Sequence, residues 1–120
     1  MRSCVAVLLA GLCIGAWAAP AVARTETVTG EVISLACYFQ NKNNVGKAGL
    51  VCALASVKYE GNPVGLLTAE GTVYQFAGGL VANNNAKAVP LLSHTVTVTG
   101  DVYEKSGMKM ISADDAQLVK

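Results

Sequence analysis

The chain has a single histidine, His94. That scarcity removes most acid–base and triad schemes, which turn on an imidazole near neutral pH. No Cys-X-X-Cys spacing is present to lower a thiol pKa, so no cysteine reads as a nucleophile. A closed zinc site usually takes about four ligands, and Cys37, Cys52 and His94 fall short of that. Gly78-Gly79 lacks the strand–turn–helix setting of a phosphate loop. Asp114-Asp115 is an adjacent pair whose side chains diverge, which reads as a turn. The sequence therefore assigns no catalytic residue, no cofactor and no metal ligand, and it points away from an enzyme.

No apolar run reaches the roughly 20 residues of a membrane span. The longest, from Cys4 to about Trp17, is short and rich in Gly and Ala, and follows the lone positive charge of Arg2. Ala21-Val22-Ala23 then supplies small residues at the −3 and −1 positions of a peptidase site. The pattern reads as a secretory signal over residues 1–23, cleaved between Ala23 and Arg24, with a site near Ala18 or Ala19 as second choice. Cys13 does not make a lipobox, because Leu12 precedes it where a small residue is needed. An exported product, bacterial and periplasmic or secreted, is the expectation, with no membrane span left after signal removal.

Lys and Arg number nine and Asp and Glu eight. Arg2 leaves with the signal and no acid does, so the expected mature chain, residues 24–120, has zero net charge with His94 neutral. Such a chain suffices for one domain. Zero net charge argues against a nucleic-acid partner, whose phosphates demand an excess of Lys and Arg, and gives no sign of steering toward anionic membranes. Cys4 and Cys13 also leave. Cys37 and Cys52 remain, which in an exported domain permits one intrachain disulfide; a redox pair and metal ligation are the alternatives.

Thr25–Leu35 alternates and is rich in β-branched residues, as a strand is. Gln40–Asn44 is a polar loop. Leu50, Val51, Leu54 and Val57 recur at helical spacing and predict a helix over 45–59, started by Asn43 or Asn44 and stopped by Gly61 and Pro63. Val64–Thr68 and Thr72–Phe76 form a hairpin whose connection, Ala69-Glu70-Gly71, suits a type I turn closed by a glycine bulge. Asn83–Asn85 is a loop or cap. Pro90 limits Ala86–Leu92 to a turn or two. Thr95–Tyr103 alternates again, with Val96, Val98 and Val102 on one face. Met108–Ile111 returns after a turn at Lys105-Ser106-Gly107, and Gln117–Val119 is a last short strand. Thr27-Val28-Thr29-Gly30-Glu31-Val32 is echoed by Thr97-Val98-Thr99-Gly100-Asp101-Val102. This reads as two strands bent by the same central glycine rather than as a duplicated site.

These strands, with bent first and fourth members, predict a mainly β fold with one principal helix. It resembles the small Greek-key barrel of oligonucleotide/oligosaccharide-binding (OB) domains. Val96–Val102 followed by Met108–Ile111 looks like their closing hairpin. A standard OB helix lies between strands three and four, whereas here a longer one also follows strand one. A second resemblance rests on Gly30-Glu31-Val32, Cys37-Tyr38, Cys52 and Gly61-Asn62-Pro63-Val64-Gly65-Leu66-Leu67. It is to a group of small exported bacterial proteins, mostly without assigned function. There an Asp often precedes the first Cys by three residues and a further Cys follows the second by four; this chain has Ser34 and Ser56.

Tyr74 and Phe76 share a strand face and read as core, since no basic groove surrounds them for stacking on bases. Tyr38 and Phe39 adjoin Cys37. If the chain is extended there, one of the two faces out, which makes this pair the candidate contact. Fold alone does not fix function. The leading expectation is a non-catalytic periplasmic binding or accessory module for a small molecule or an envelope protein, contacting it through loops 40–46 and 78–85 at the barrel mouth. The alternatives are a thiol- or metal-linked redox accessory protein and a structural envelope component.

Overall fold

Antiparallel pairing of the first strand with the fourth closes the fold. In the computed structural model, which describes residues 23–120, β1 (Arg24–Ser34) runs against β4 (Thr95–Lys105) from Arg24–Val102 to Glu31–Thr95. All of the expected signal segment except Ala23 lies outside the described residues. β2 (Val64–Leu67) pairs with β1 and with β3 (Val73–Ala77), both antiparallel. β3 then runs parallel to β5 (Met108–Ser112), which returns antiparallel to β4. The order β1-β2-β3-β5-β4 closes on β1, giving a five-stranded mixed barrel consistent with an OB-like fold. A short β6 (Gln117–Leu118) flanks β4.

The alternation read from the sequence sets which side chains fill the barrel. Val32, Val64, Leu66, Phe76, Val96, Val98, Val102 and Ile111 form one buried cluster with Leu80 and Leu92. Tyr74 packs against that cluster while half-exposed, so both aromatics of β3 serve the core. The two echoed segments face each other. Their threonines pair across the outer face of β1 and β4, Thr27 with Thr99 at 2.8 Å and Thr29 with Thr97 at 2.9 Å, while the Thr25 hydroxyl donates to Asp101 at 3.0 Å. Cross-strand pairs of this kind support a sheet modestly. Their glycines lie on the inward rows. A Cβ on Gly30 would sit 2.5 Å from the Leu67 carbonyl oxygen, and one on Gly100 would overlap the carbonyl oxygen of Ser112. Both positions admit only glycine because a neighbouring strand passes through the space a side chain needs. The β2–β3 turn is as read: Gly71 N–H donates to the Thr68 carbonyl, and Gly71 has a φ of 88°.

The helical mass lies between β1 and β2. The predicted helix is present as α2 (Gly46–Leu54), continued by one π turn over Ala55–Tyr59, with Gly61 in the left-handed region beyond it. Neither Asn43 nor Asn44 caps it. The Glu31 carboxylate reaches over from β1 and accepts from Gly46 N–H at 2.6 Å, which places an anion at the positive end of the helix dipole. A second helix, α1 (Leu35–Gln40), replaces the extended chain expected around Tyr38 and Phe39. Ser34 is its N-cap and accepts from Cys37 N–H at 3.2 Å, the pairing that starts a helix where the expected strand ends. Of the four residues at helical spacing, Val51 is exposed, while Val57 is buried and Leu50 and Leu54 pack half-buried against the core. The radius of the helix puts only one stripe inward, and Val51 is off it.

Between β3 and β4, the place of the standard OB helix, the chain makes only short turns, Gly78–Val81 and Val89–Leu91, joined by left-handed Asn83, Asn84 and Asn85. This segment is not a free loop at the barrel mouth. The side-chain amide of Asn84 donates to the Lys58 carbonyl, and that of Asn85 donates to the carbonyls of Val57 and Asn62. The carbonyls of Val57 and Lys58 end a helix whose π turn leaves them without ordinary partners, and that of Asn62 lies in the loop just beyond, so the asparagines are spent on closing this end.

Candidate binding groove

The parallel pairing of β3 with β5 covers only Gln75–Ala77 against Met110–Ser112. Ahead of it the strands part at Val73 and Met108. α1 lies alongside that opening because Ser34 turns the chain off the end of β1, and it brings Leu35 and Phe39 to one side. The β4–β5 hairpin, whose turn has Ser106 and Gly107 at positive φ, brings Tyr103, Met108 and Met110 to the other. The result is a groove with two lobes that adjoin along Gln75, Met108 and Lys109. One, about 340 Å³, reaches Tyr103, Lys105 and Met110; the other, about 210 Å³, reaches Leu35, Phe39 and Val73.

The lining is mostly apolar and open to solvent. Phe39 is 74% exposed, Met108 69%, Tyr103 41% and Met110 38%. Aromatic and methionine side chains in one open groove offer a large, adaptable contact area. At the rim Lys109 donates to Glu104 at 2.8 Å. The hydrogen bond from Lys109 holds the Glu104 carboxyl below its ordinary range, and the same bond holds the Lys109 ammonium above its own. Both remain charged near neutrality, and the pair leaves Lys105 as the rim's free cation among the described residues.

Of the two contact residues expected from the sequence, Phe39 lines the groove. Tyr38 does not; it is half-buried, with its ring 6.3 Å from that of Phe39 in a tilted arrangement. Neither loop 40–46 nor loop 78–85 borders the groove. Tyr103, Met108 and Met110 were not read as contacts, although the signal was present. On β4 and β5 they occupy the row opposite to Val102 and Ile111, with Tyr103 directly across from Met110, so alternation alone directs them outward.

Cys37 and Cys52 lie within disulfide distance, their Cα atoms 6.2 Å apart. The pair joins α1 to α2 rather than the end of a strand to a helix. Both border a polar cleft of about 230 Å³ with Gln40, Ser56, Glu60 and Asn62. Ser56, which lines the cleft, shares a buried hydrogen bond with Ser34, the other departure from the resembled pattern. Asp114 and Asp115 are a turn, as read, accepting from Gly79 N–H and Lys87 respectively. His94 is exposed on a bend, and only its backbone is engaged, with Val32 and Leu91. Among the described residues no three His, Cys, Asp or Glu side chains gather as a metal site would require, and no helix is long and apolar enough to cross a membrane. The sequence matches no protein-family model, and no curated protein or solved structure shows significant similarity to it.

Proposed function

We propose that this chain is an exported, non-catalytic binding or accessory module that holds an apolar ligand or an apolar segment of an envelope protein in the groove between Phe39 and the β4–β5 hairpin. The observation that carries the reading is the exposure of Phe39, Met108, Tyr103 and Met110 around one opening in an otherwise closed barrel. Groove side chains of this size are normally withdrawn from water unless they serve a contact. The opening lies between the first connection and the β4–β5 loop, the region through which OB barrels bind their ligands. The disulfide-distance cysteine pair and the lack of a membrane-crossing helix among the described residues are compatible with export. Nucleic acid is not the proposed ligand, because Lys109 is engaged by Glu104 and Lys105 alone is too little to neutralise a phosphate chain.

The test is binding of a hydrophobic fluorescent probe, 8-anilinonaphthalene-1-sulfonate, and pull-down from the envelope fraction, each with wild type, Phe39→Ser and Met108→Ser. Loss of probe binding and of the captured partner in both variants, with melting temperature retained, supports the groove. Capture that both variants preserve defeats it. So does submicromolar, steeply salt-dependent binding to single-stranded DNA.

A further inference from the structure

We infer that the helical insert between β1 and β2 is a second docking face, which holds the domain against an anionic lipid surface. The insert, residues 35–63, contains three lysines, Lys42, Lys47 and Lys58, and one acid, Glu60, just past its helix. The rest of residues 24–120 holds five basic residues and the other seven acids. A net charge of zero thus conceals a basic insert on an acidic barrel. None of the three lysines has an acidic partner within ion-pair distance among the described residues.

The placement of Lys47 is also at odds with helix stability. Lys47 stands in the first turn of α2, which has no acidic residue of its own, and a cation there opposes the helix dipole. The Glu31 carboxylate from β1 supplies the negative charge that the turn lacks. Lys47 therefore does not serve the helix that carries it, whereas Lys58, in the last turn, suits the dipole.

Apolar side chains share the outer face of the helix with Lys47. Lys47, Val51, Ala55 and Tyr59 recur every four residues and are all exposed, Val51 by 81% and Tyr59 by 76%. The opposite stripe, Ala53 and Val57, is buried in the core. Lys58 lies over the Tyr59 ring, 5.4 Å from its centroid, so its stem and the aromatic ring form one amphipathic unit. A helix with apolar side chains between lysines matches the headgroup boundary of a bilayer: the apolar groups enter, the long lysine stems extend to the phosphates, and tyrosine sits at the boundary. The face is the outer side of a helix, whereas peptide partners are usually taken into grooves or along sheet edges. Charge complementarity and this convex shape favour a lipid surface over an acidic protein. The groove at Phe39 is a separate feature, and the inference does not depend on it.

The test uses protein purified after export, with its N-terminus determined by mass spectrometry. Co-sedimentation is measured with vesicles of phosphatidylcholine alone and of equal parts phosphatidylcholine and phosphatidylglycerol. Binding to the anionic vesicles only, reversed by salt, is expected. The Lys42→Gln/Lys47→Gln/Lys58→Gln variant should bind at least about tenfold more weakly, as removal of three surface-proximal lysines implies. Val51→Ser/Tyr59→Ser should weaken binding in the same assay, and Met108→Ser should not change it. All variants share one N-terminus and are checked for an unchanged melting temperature, so a retained leader or a lost fold is not mistaken for the effect. Equal binding to neutral vesicles, no binding, or binding indifferent to the lysine substitutions would overturn the inference. Capture of an acidic protein through these lysines without vesicle binding would also overturn it.

Discussion

The Ser34 hydroxyl donates to the Ser56 hydroxyl at 2.9 Å, joining the last residue of β1 to the π turn that follows α2. Both residues are buried. Ser34 also accepts from Cys37 N–H, and Ser56 accepts from the Asn62 side-chain amide at 2.9 Å. One hydrogen-bond chain thus runs from the N-cap of α1 to the end of the helical insert. The disulfide-distance pair Cys37–Cys52 ties α1 to α2 beside it. Ser34→Ala removes a cap and leaves Ser56 with fewer partners in a buried site. Loss of about 1–2 kcal/mol is expected in urea unfolding. Ser34→Ala/Ser56→Ala should cost less than the sum of the single variants, because the two hydroxyls share one bond. Strict additivity would mean that the bond contributes nothing in solution.

Gly30→Val and Gly100→Val should each destabilise the domain by about 1–3 kcal/mol or more, as overpacking a closed interior does. The reason is contact with the carbonyls of Leu67 and Ser112. Neither glycine has a positive φ, so Gly→Ala should already incur much of the cost. Thermal unfolding of the four variants checks this. Unchanged melting temperatures would mean that the strands do not approach as closely as the barrel requires.

Cys37 and Cys52 are 15 positions apart, and the intervening chain is the end of α1, the polar loop 41–45 and the first turns of α2. In the chain-entropy account, a bridge closing a loop of this length stabilises by roughly 3 kcal/mol. Mass mapping without reduction should find one 37–52 linkage and no free thiol. Reduction should lower the melting temperature by several degrees while the β-rich circular dichroism persists at low temperature. Two free thiols in the exported protein would favour a thiol-linked role at the polar cleft that both residues border.

Export predicts an N-terminus at Arg24, or a few residues earlier, by mass spectrometry of protein from the envelope compartment. β1 begins at Arg24, which pairs with Val102, so cleavage after Ala23 would leave the whole strand in place. An intact Met1 on a cytoplasmic product would end this reading.

Period-two alternation at Thr25–Val32 and Thr95–Val102 determined, by itself, two long curled strands and the side chains they bury, because that pattern is dictated locally by the pleat. The helical spacing of Leu50, Leu54 and Val57, with Gly61 beyond, likewise determined a helix over Gly46–Tyr59. The acid-free run with Lys42, Lys47 and Lys58 was present in the sequence too, but net charge is a sum and hides position. The tertiary structure decided the rest. Glu31 caps α2 from a different element, and Asn84 and Asn85 close its far end, because orphan N–H and C=O groups accept any partner the fold brings near. Ser34 started α1 at the end of β1 and so carried Phe39 to the opening between β3 and β5. The groove exists because two strands distant in sequence run parallel for only three residue pairs. No local pattern contains that register, since it depends on how the barrel closes.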